Sequence, residues 1–367
     1  MDVLLTQFLR YPAIAQNFSI KEWELLYRQS KSAQLTAAVW DLLQQFGLTD
    51  KAPPKAVNHF YSQTLLVQRQ NAFIRFELEK VYKAIGRVEQ NIILLKGAAY
   101  LLLDLPFAKS RRVADIDLLV SKSNLREVEK ELMFYGWIKT KTDNYDDMYY
   151  REWMHEIPPL KHINRGSVLD VHHNILPVIA GKAPDARKLI NQSIRLSNHP
   201  FCVLSPADIV LHSACHLFHE GEFEKGVRDL YDLHQLFNYY GNNEEQVSFW
   251  DELLDRAIDL KLTQPLFFAV RYSHLLFGTR IPQDILQKTQ SLMANKVQVL
   301  IYDFLFTRIF VPHHPSTKNI GFSIARFFLY WRSHLIKMPL RILIPHLIKK
   351  SMKGFTEKKA KDNKIEV

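Results

Sequence analysis

The sequence predicts an α+β protein: a core of short strands alternating with helices, flanked by helical N-terminal and C-terminal regions. Three observations lead there. Short apolar runs that suit buried strands fall between about residues 91 and 200, helical patterning dominates on both sides, and glycine is scarce, with 12 among 367 residues. A composition of 47% hydrophobic and 23% charged residues is that of an ordinary folded chain, long enough for two or three cooperating subdomains. The expected segments are a helical region 1–90, a strand-and-helix core 91–200, a helical domain 201–310 and a basic, aromatic segment 311–367.

Residues 1 to about 90 read as helices. Ser19 followed by Glu22 in "FSIKEWELLYRQ" is a capping-box pattern. "KAPPKA" breaks the pattern, and a long helix is expected from about 56 to 88. "NIILLKG" then suits a buried strand running into a turn, "AAYLLLDL" a helix, "VADIDLLV" a second strand, "SNLREVEKELMFYGW" a capped amphipathic helix, and "GSVLDVHHNIL" a further strand. "SPADIVLHSACHLFHE" opens a helix with Ser205 as N-cap, Pro206 at the first helical position and Asp208 in the first turn. More amphipathic helices follow to about 308, and "VPHHPSTKN" reads as a loop.

The chemistry concentrates in the core. Strand side chains alternate faces, so Asp115 and Asp117 project to one side, about 7 Å apart at the backbone. Two anions there repel unless a cation or hydrogen-bond donors hold them, and a hard divalent metal such as Mg²⁺ does this together with substrate phosphates. By itself the motif also fits a helix cap or a solvated strand end. Upstream, Lys96 and Gly97 stand where a strand turns into a helix, a setting that favours phosphate, although an exposed lysine at a turn fits equally. Lys109, Arg111 and Arg112 precede the aspartates and could clamp a polyphosphate or form a solvated basic loop. Downstream, Asp170 and His172 share one face of a strand. Asp170 is either a third carboxylate of a two-metal site, placed to take a proton from an acceptor hydroxyl, or the partner of an arginine.

"ILLKGAAYLLLDL", "RRVADIDLLV" and "LDVHHNIL", followed by "LHSACHLFHEGEFEKGVRDLYDLHQL", resemble in order and spacing the uncharacterised nucleotidyltransferase family of the DNA polymerase β-like superfamily, over roughly residues 20 to 300. The resemblance implies a small mixed β-sheet of the nucleotidyltransferase type, with Mg²⁺ or Mn²⁺ on Asp115, Asp117 and Asp170. It implies transfer of an NMP from an NTP to an acceptor, which is a small molecule, a protein or tRNA, with release of pyrophosphate. Lys96, Gly97, Arg111 and Arg112 would hold the nucleotide together with His172. His216 and Asp232 match positions of the family's helical domain that support the nucleotide cleft. Better-known superfamily members carry Gly-Ser where this chain has Lys-Gly, which leaves the triphosphate to backbone amides and basic side chains. The rival reading is a non-catalytic nucleotide-binding or membrane-associated accessory protein on the same fold.

His212, His216 and His219 fall on one helical face, a spacing open to metal, but no His-Glu-x-x-His or His-Asp motif accompanies them. A structural or substrate-lining role is the expectation. His155-Glu156 is expected to approach the catalytic face from a neighbouring strand, and Arg228 with Asp229 to form an ion pair or line the cleft.

Net charge is +10, and residues 325–367 carry eleven Lys or Arg against three acids. The positive field is therefore C-terminal, unlike the spread charge of a nucleic-acid-coating protein. Residues 325–353 mix aromatic and basic side chains but contain Pro339 and Pro345 and no uncharged run long enough to span a bilayer. They are expected to pack on the protein while touching an anionic membrane surface, ahead of packing alone or binding RNA. Residues 356–367 read as a disordered tail. Two isolated cysteines, Cys202 and Cys215, indicate no disulfide framework or zinc ribbon, and the N-terminus does not resemble a secretory signal. A cytoplasmic protein, peripheral at the inner face of the membrane, is expected.

Overall fold

The computed structural model of the protein describes residues 3–139, 144–181, 183–242, 249–293 and 295–345. Helices occupy the chain up to Ile85 and again from Pro206, and the strands lie between. In chain order these are β1 (Ile93–Leu94), β2 (Ile116–Leu119), β3 (Trp137–Lys139), β4 (Leu160–His162), β5 (Val168–His172), β6 (Ile194–Arg195) and β7 (Cys202–Val203). They form one mixed sheet in the order β3-β4-β5-β2-β1-β7-β6. Its centre is decisive for the site. β2 pairs parallel with β5, opposing Asp117 to Asp170 and Leu119 to His172, and antiparallel with β1.

The expected local signals are realised. Ser19 and Glu22 form a reciprocal capping box. The long helix runs Pro54–Ile85, beginning two residues before the expected start and ending three before the expected end. Ser205 accepts a hydrogen bond from the Asp208 backbone with Pro206 at the first turn. The expected cap of the helix Leu125–Phe134 is not formed by a side chain; Asn124 is instead tied to Glu89. Strands β3, β4 and β6 carried no sequence signal of their own, being only two or three residues long. The expected tail, with residues 346–353 of the basic segment, lies outside the described residues.

β2 is fully buried along its length, which is why "IDLL" keeps three aliphatic residues around one aspartate. The sheet shares a single apolar core with the helices, running from Trp23 through Trp137 and Leu169 to Phe218, Phe306 and Leu329. Two polar ties fix the helix Pro206–His219 against its neighbours. Tyr100 and Ser213 hydroxyls lie 2.6 Å apart, joining it to the helix Lys96–Leu102. Asp208, fully buried, takes a bidentate pair of hydrogen bonds from Arg256, both at 2.8 Å. Asp208 thus belongs to the scaffold and not to a histidine metal site.

Removal of one partner from a buried ion pair strands the other charge in a low-dielectric interior. Arg256→Met is therefore expected to lower unfolding free energy by about 3–5 kcal/mol, read from urea denaturation.

Candidate active site

The three aspartates meet at one end of the central strands. Asp115 immediately precedes β2, Asp117 lies on it, and Asp170 sits beside Asp117 on β5. All three line a cavity of about 340 Å³ with Lys96, Glu156 and His172, roofed by His212, His216 and His219. The roof helix thus supplies lining histidines, as expected, and its His216 is brought to the aspartates. Lys337, from the far C-terminal helix Ile320–Lys337, also reaches this cavity and pairs with Glu220 at 3.2 Å. Nothing in the sequence pattern of that helix announced this; only its packing does.

Asp117 is the most tightly held of the three. Its side chain is 7% exposed, the Lys96 ammonium lies 3.0 Å from Oδ1, and His172 Nε2 lies 3.3 Å from the same oxygen. Burial opposes its charge, but Lys96 and the hydrogen bond from His172 hold its carboxyl well below the ordinary carboxylate range. An ionised carboxylate only accepts hydrogen bonds, so His172 donates through Nε2. Burial also works against the His172 charge, yet Glu156 and Asp117 keep its imidazole above its ordinary value. Asp170 is the opposite case. Its Oδ1 is buried without a hydrogen-bond partner, and no arginine pairs with it among the described residues. Burial, then the Asp117 and Glu156 carboxylates, push Asp170 up to about 7.

Lys96 reaches Asp117 from an unusual backbone. Its φ is 45°, in the left-handed region that non-glycine residues rarely adopt. Gly97 serves a different purpose from the expected phosphate turn: it is buried, and a Cβ there would collide with Arg111 Nη1 and the Val113 side chain. Arg111 itself is committed elsewhere. It pairs with Asp232 at 2.6 Å, both nearly buried, and lies over the Tyr100 ring. Arg111 and Asp232 line a different cavity of about 650 Å³ together with Lys109 and Arg228. Arg112 is exposed and lines neither. Of the lysine and arginines expected around the nucleotide, Lys96 alone is brought to the aspartates, where His172 and His216 join it. Arg228 and Asp229 form an ion pair at 2.6 Å, and Asp229 lines the aspartate cavity.

His155 and Glu156 approach as expected. Glu156 bridges to His172 beside the sheet, and the His155 ring stacks on that of His172 at 5.3 Å. Among the described residues, only His155, Glu156 and His172 offer three ligand atoms within 4.8 Å of one another. The three aspartates are less tightly gathered. They nevertheless suit a hard divalent ion: all are carboxylates, they share one cavity, and Asp170 carries an oxygen with no partner.

The uncompensated Asp170 charge has a measurable cost. An acid whose native pKa is raised loses stability as pH climbs from its unfolded value toward its native one. Asp170→Asn is therefore expected to stabilise the ion-free protein by on the order of 4 kcal/mol near about pH 8, with the gain gone below about pH 4; urea denaturation at the two pH values reads this out.

The family model described as uncharacterised nucleotidyltransferase matches residues 19–278, somewhat short of the resemblance expected to about residue 300. No curated protein and no solved structure matches the chain. With most of its length, the whole strand region and the cavity-lining histidines inside that match, the chain belongs to this family of uncharacterised nucleotidyltransferases.

Proposed function

We propose that the protein transfers a nucleoside monophosphate from an NTP to an acceptor hydroxyl or phosphate, releasing pyrophosphate, with Mg²⁺ or Mn²⁺ held by Asp115, Asp117 and Asp170. The observation that carries this reading is the parallel pairing of β2 with β5, which sets Asp117 beside Asp170 in one cavity. The charge of that cavity adds to it. Asp115, Asp117, Glu156, Asp170, Glu220, Glu222, Glu224 and Asp229 line it, against Lys96, Lys225 and Lys337. A triphosphate entering so acidic a space needs additional cations, and a divalent ion bound there would neutralise charge on the transferring phosphoryl group.

The chain's own residues divide the remaining work. Lys96 counters the Asp117 charge and is a cation beside the aspartates that can meet a phosphate chain. Asp170, with its unpartnered oxygen, is placed to accept a proton from the acceptor. The helical segment 201–310 closes the cavity over core 91–200 through His212, His216 and His219, whose burial keeps His212 down to about 3 and so neutral.

The double variant Asp115→Asn with Asp117→Asn is expected to fold but to lose both pyrophosphate release and Mg²⁺-dependent stabilisation by NTP. For the parent protein, that stabilisation is about 2.7 kcal/mol at about 100 times the dissociation constant, followed by thermal shift across the four NTPs. Stabilisation without pyrophosphate release from any acceptor would favour the accessory reading instead.

We further propose that the C-terminal helix works at an anionic membrane surface. No helix among the described residues is long and apolar enough to cross a membrane. The helix Ile320–Lys337 buries Phe322, Ala325, Leu329 and Ser333 against the protein. Ile324, Phe327, Phe328, Trp331 and Leu335 form an exposed stripe at helical spacing, with basic Arg326 and Arg341 exposed nearby. The full chain is expected to float with phosphatidylserine vesicles and not with phosphatidylcholine vesicles; Phe327→Ser with Trp331→Ser should abolish flotation.

A further inference from the structure

His155, Glu156 and His172 form a donor set distinct in chemistry from the aspartates: two imidazoles and one carboxylate within 4.8 Å. The orientation of His172 is informative. Asp117 accepts its Nε2–H, which leaves Nδ1 facing Glu156 Oε2 at 3.2 Å. That contact lacks hydrogen-bond alignment, so a buried ring nitrogen, on a side chain only 6% exposed, stands beside a carboxylate with nothing shared between them. His155 Nδ1 is likewise buried without a partner. A carboxylate that fixes one imidazole nitrogen so that the other can coordinate is the usual outer support of a histidine metal ligand.

We propose that His155, Glu156 and His172 bind a borderline transition-metal cation such as Zn²⁺, separate from the hard ion assigned to the aspartates. Imidazole ligands suit Zn²⁺ and the later first-row metals, whereas carboxylate and water ligands suit Mg²⁺ and Mn²⁺. Three protein ligands leave further coordination positions open, and Glu156 and His155 both face the cavity, through which the ion can enter. Binding displaces any proton on His172 Nδ1 to solvent and leaves the Nε2–H bond to Asp117 in place. The site does not require that the protein transfer nucleotides.

The test uses the full chain, stripped with chelator and without nucleotide. In excess Mg²⁺, which occupies the aspartates, Co²⁺ titration followed by its ligand-field absorption, and Zn²⁺ retention after dialysis measured by elemental analysis, should give about one ion per chain. His155→Ala and Glu156→Gln should each weaken binding about tenfold or more, whereas Asp115→Asn leaves spectrum and affinity unchanged. The isosteric Glu156→Gln carries the test if His155→Ala fails to fold. No retained ion in the parent, unchanged binding in Glu156→Gln, or loss in Asp115→Asn equal to that in Glu156→Gln overturns the proposal.

Discussion

The parallel register of β2 on β5 is the constraint from which the rest of the site follows. It sets Asp117 against Asp170 on adjacent central strands, where water is largely excluded and like charges are costly. A folded chain must answer that cost, and this one answers it unevenly. Asp117 receives an ammonium and an imidazole, whereas Asp170 receives neither and is left with an unpartnered oxygen. The unevenness separates two otherwise identical carboxylates into a firmly ionised one and one that titrates near neutrality. Separation of that kind is a mark of functional sites, since packing alone would have selected apolar residues at both places.

Lys96 shows how the backbone serves this arrangement. A lysine at φ 45° accepts local strain on the order of 1 kcal/mol, and its ion pair with Asp117 is what makes that conformation worth holding. In the ion-free protein the lysine occupies the position of counter-charge that a divalent ion would share. The same ammonium also depresses His212 and His216 from across the cavity, after burial itself, so these two roof histidines stay neutral. Neutral imidazoles over an acidic floor can donate or accept single hydrogen bonds without adding to the electrostatic burden.

Much of this was legible in the sequence, because alternation and spacing are local properties. Asp115 and Asp117 on one face, Asp170 with His172, and the histidine face of the helix Pro206–His219 all follow from the periods of strand and helix. The signals that misled were equally local. "Lys-Gly" reads as a glycine turn for phosphate, but Lys96 takes the left-handed conformation and Gly97 provides room for Arg111 and Val113. Arg111 reads as a phosphate clamp, yet Asp232, far along the chain, claims it in a buried pair. Lys337 in the cavity and Glu156 against His172 depend on tertiary packing, which no window of sequence contains.

The same electrostatics bear on the acceptor. Exposed Glu222 and Glu224 stand at the mouth of the cavity with half-buried Glu220 and Asp229 behind them, opposed locally by Lys225 and Lys337. A polyanionic acceptor such as tRNA gains affinity by exchanging counterions for Lys and Arg, and an acidic mouth works against that exchange. A neutral or cationic acceptor presenting a hydroxyl meets no such penalty. Among the described residues, Arg326 and Arg341 are exposed on and after the helix whose exposed stripe is apolar. Positive charge beside exposed aromatic side chains is a pattern that suits an anionic lipid surface, whereas an acidic cavity mouth favours a neutral or cationic acceptor over a polyanion. Under the proposed reading the C-terminal helix would serve attachment and the aspartate cavity the chemistry, and Lys337 is a residue of that helix that lines the cavity.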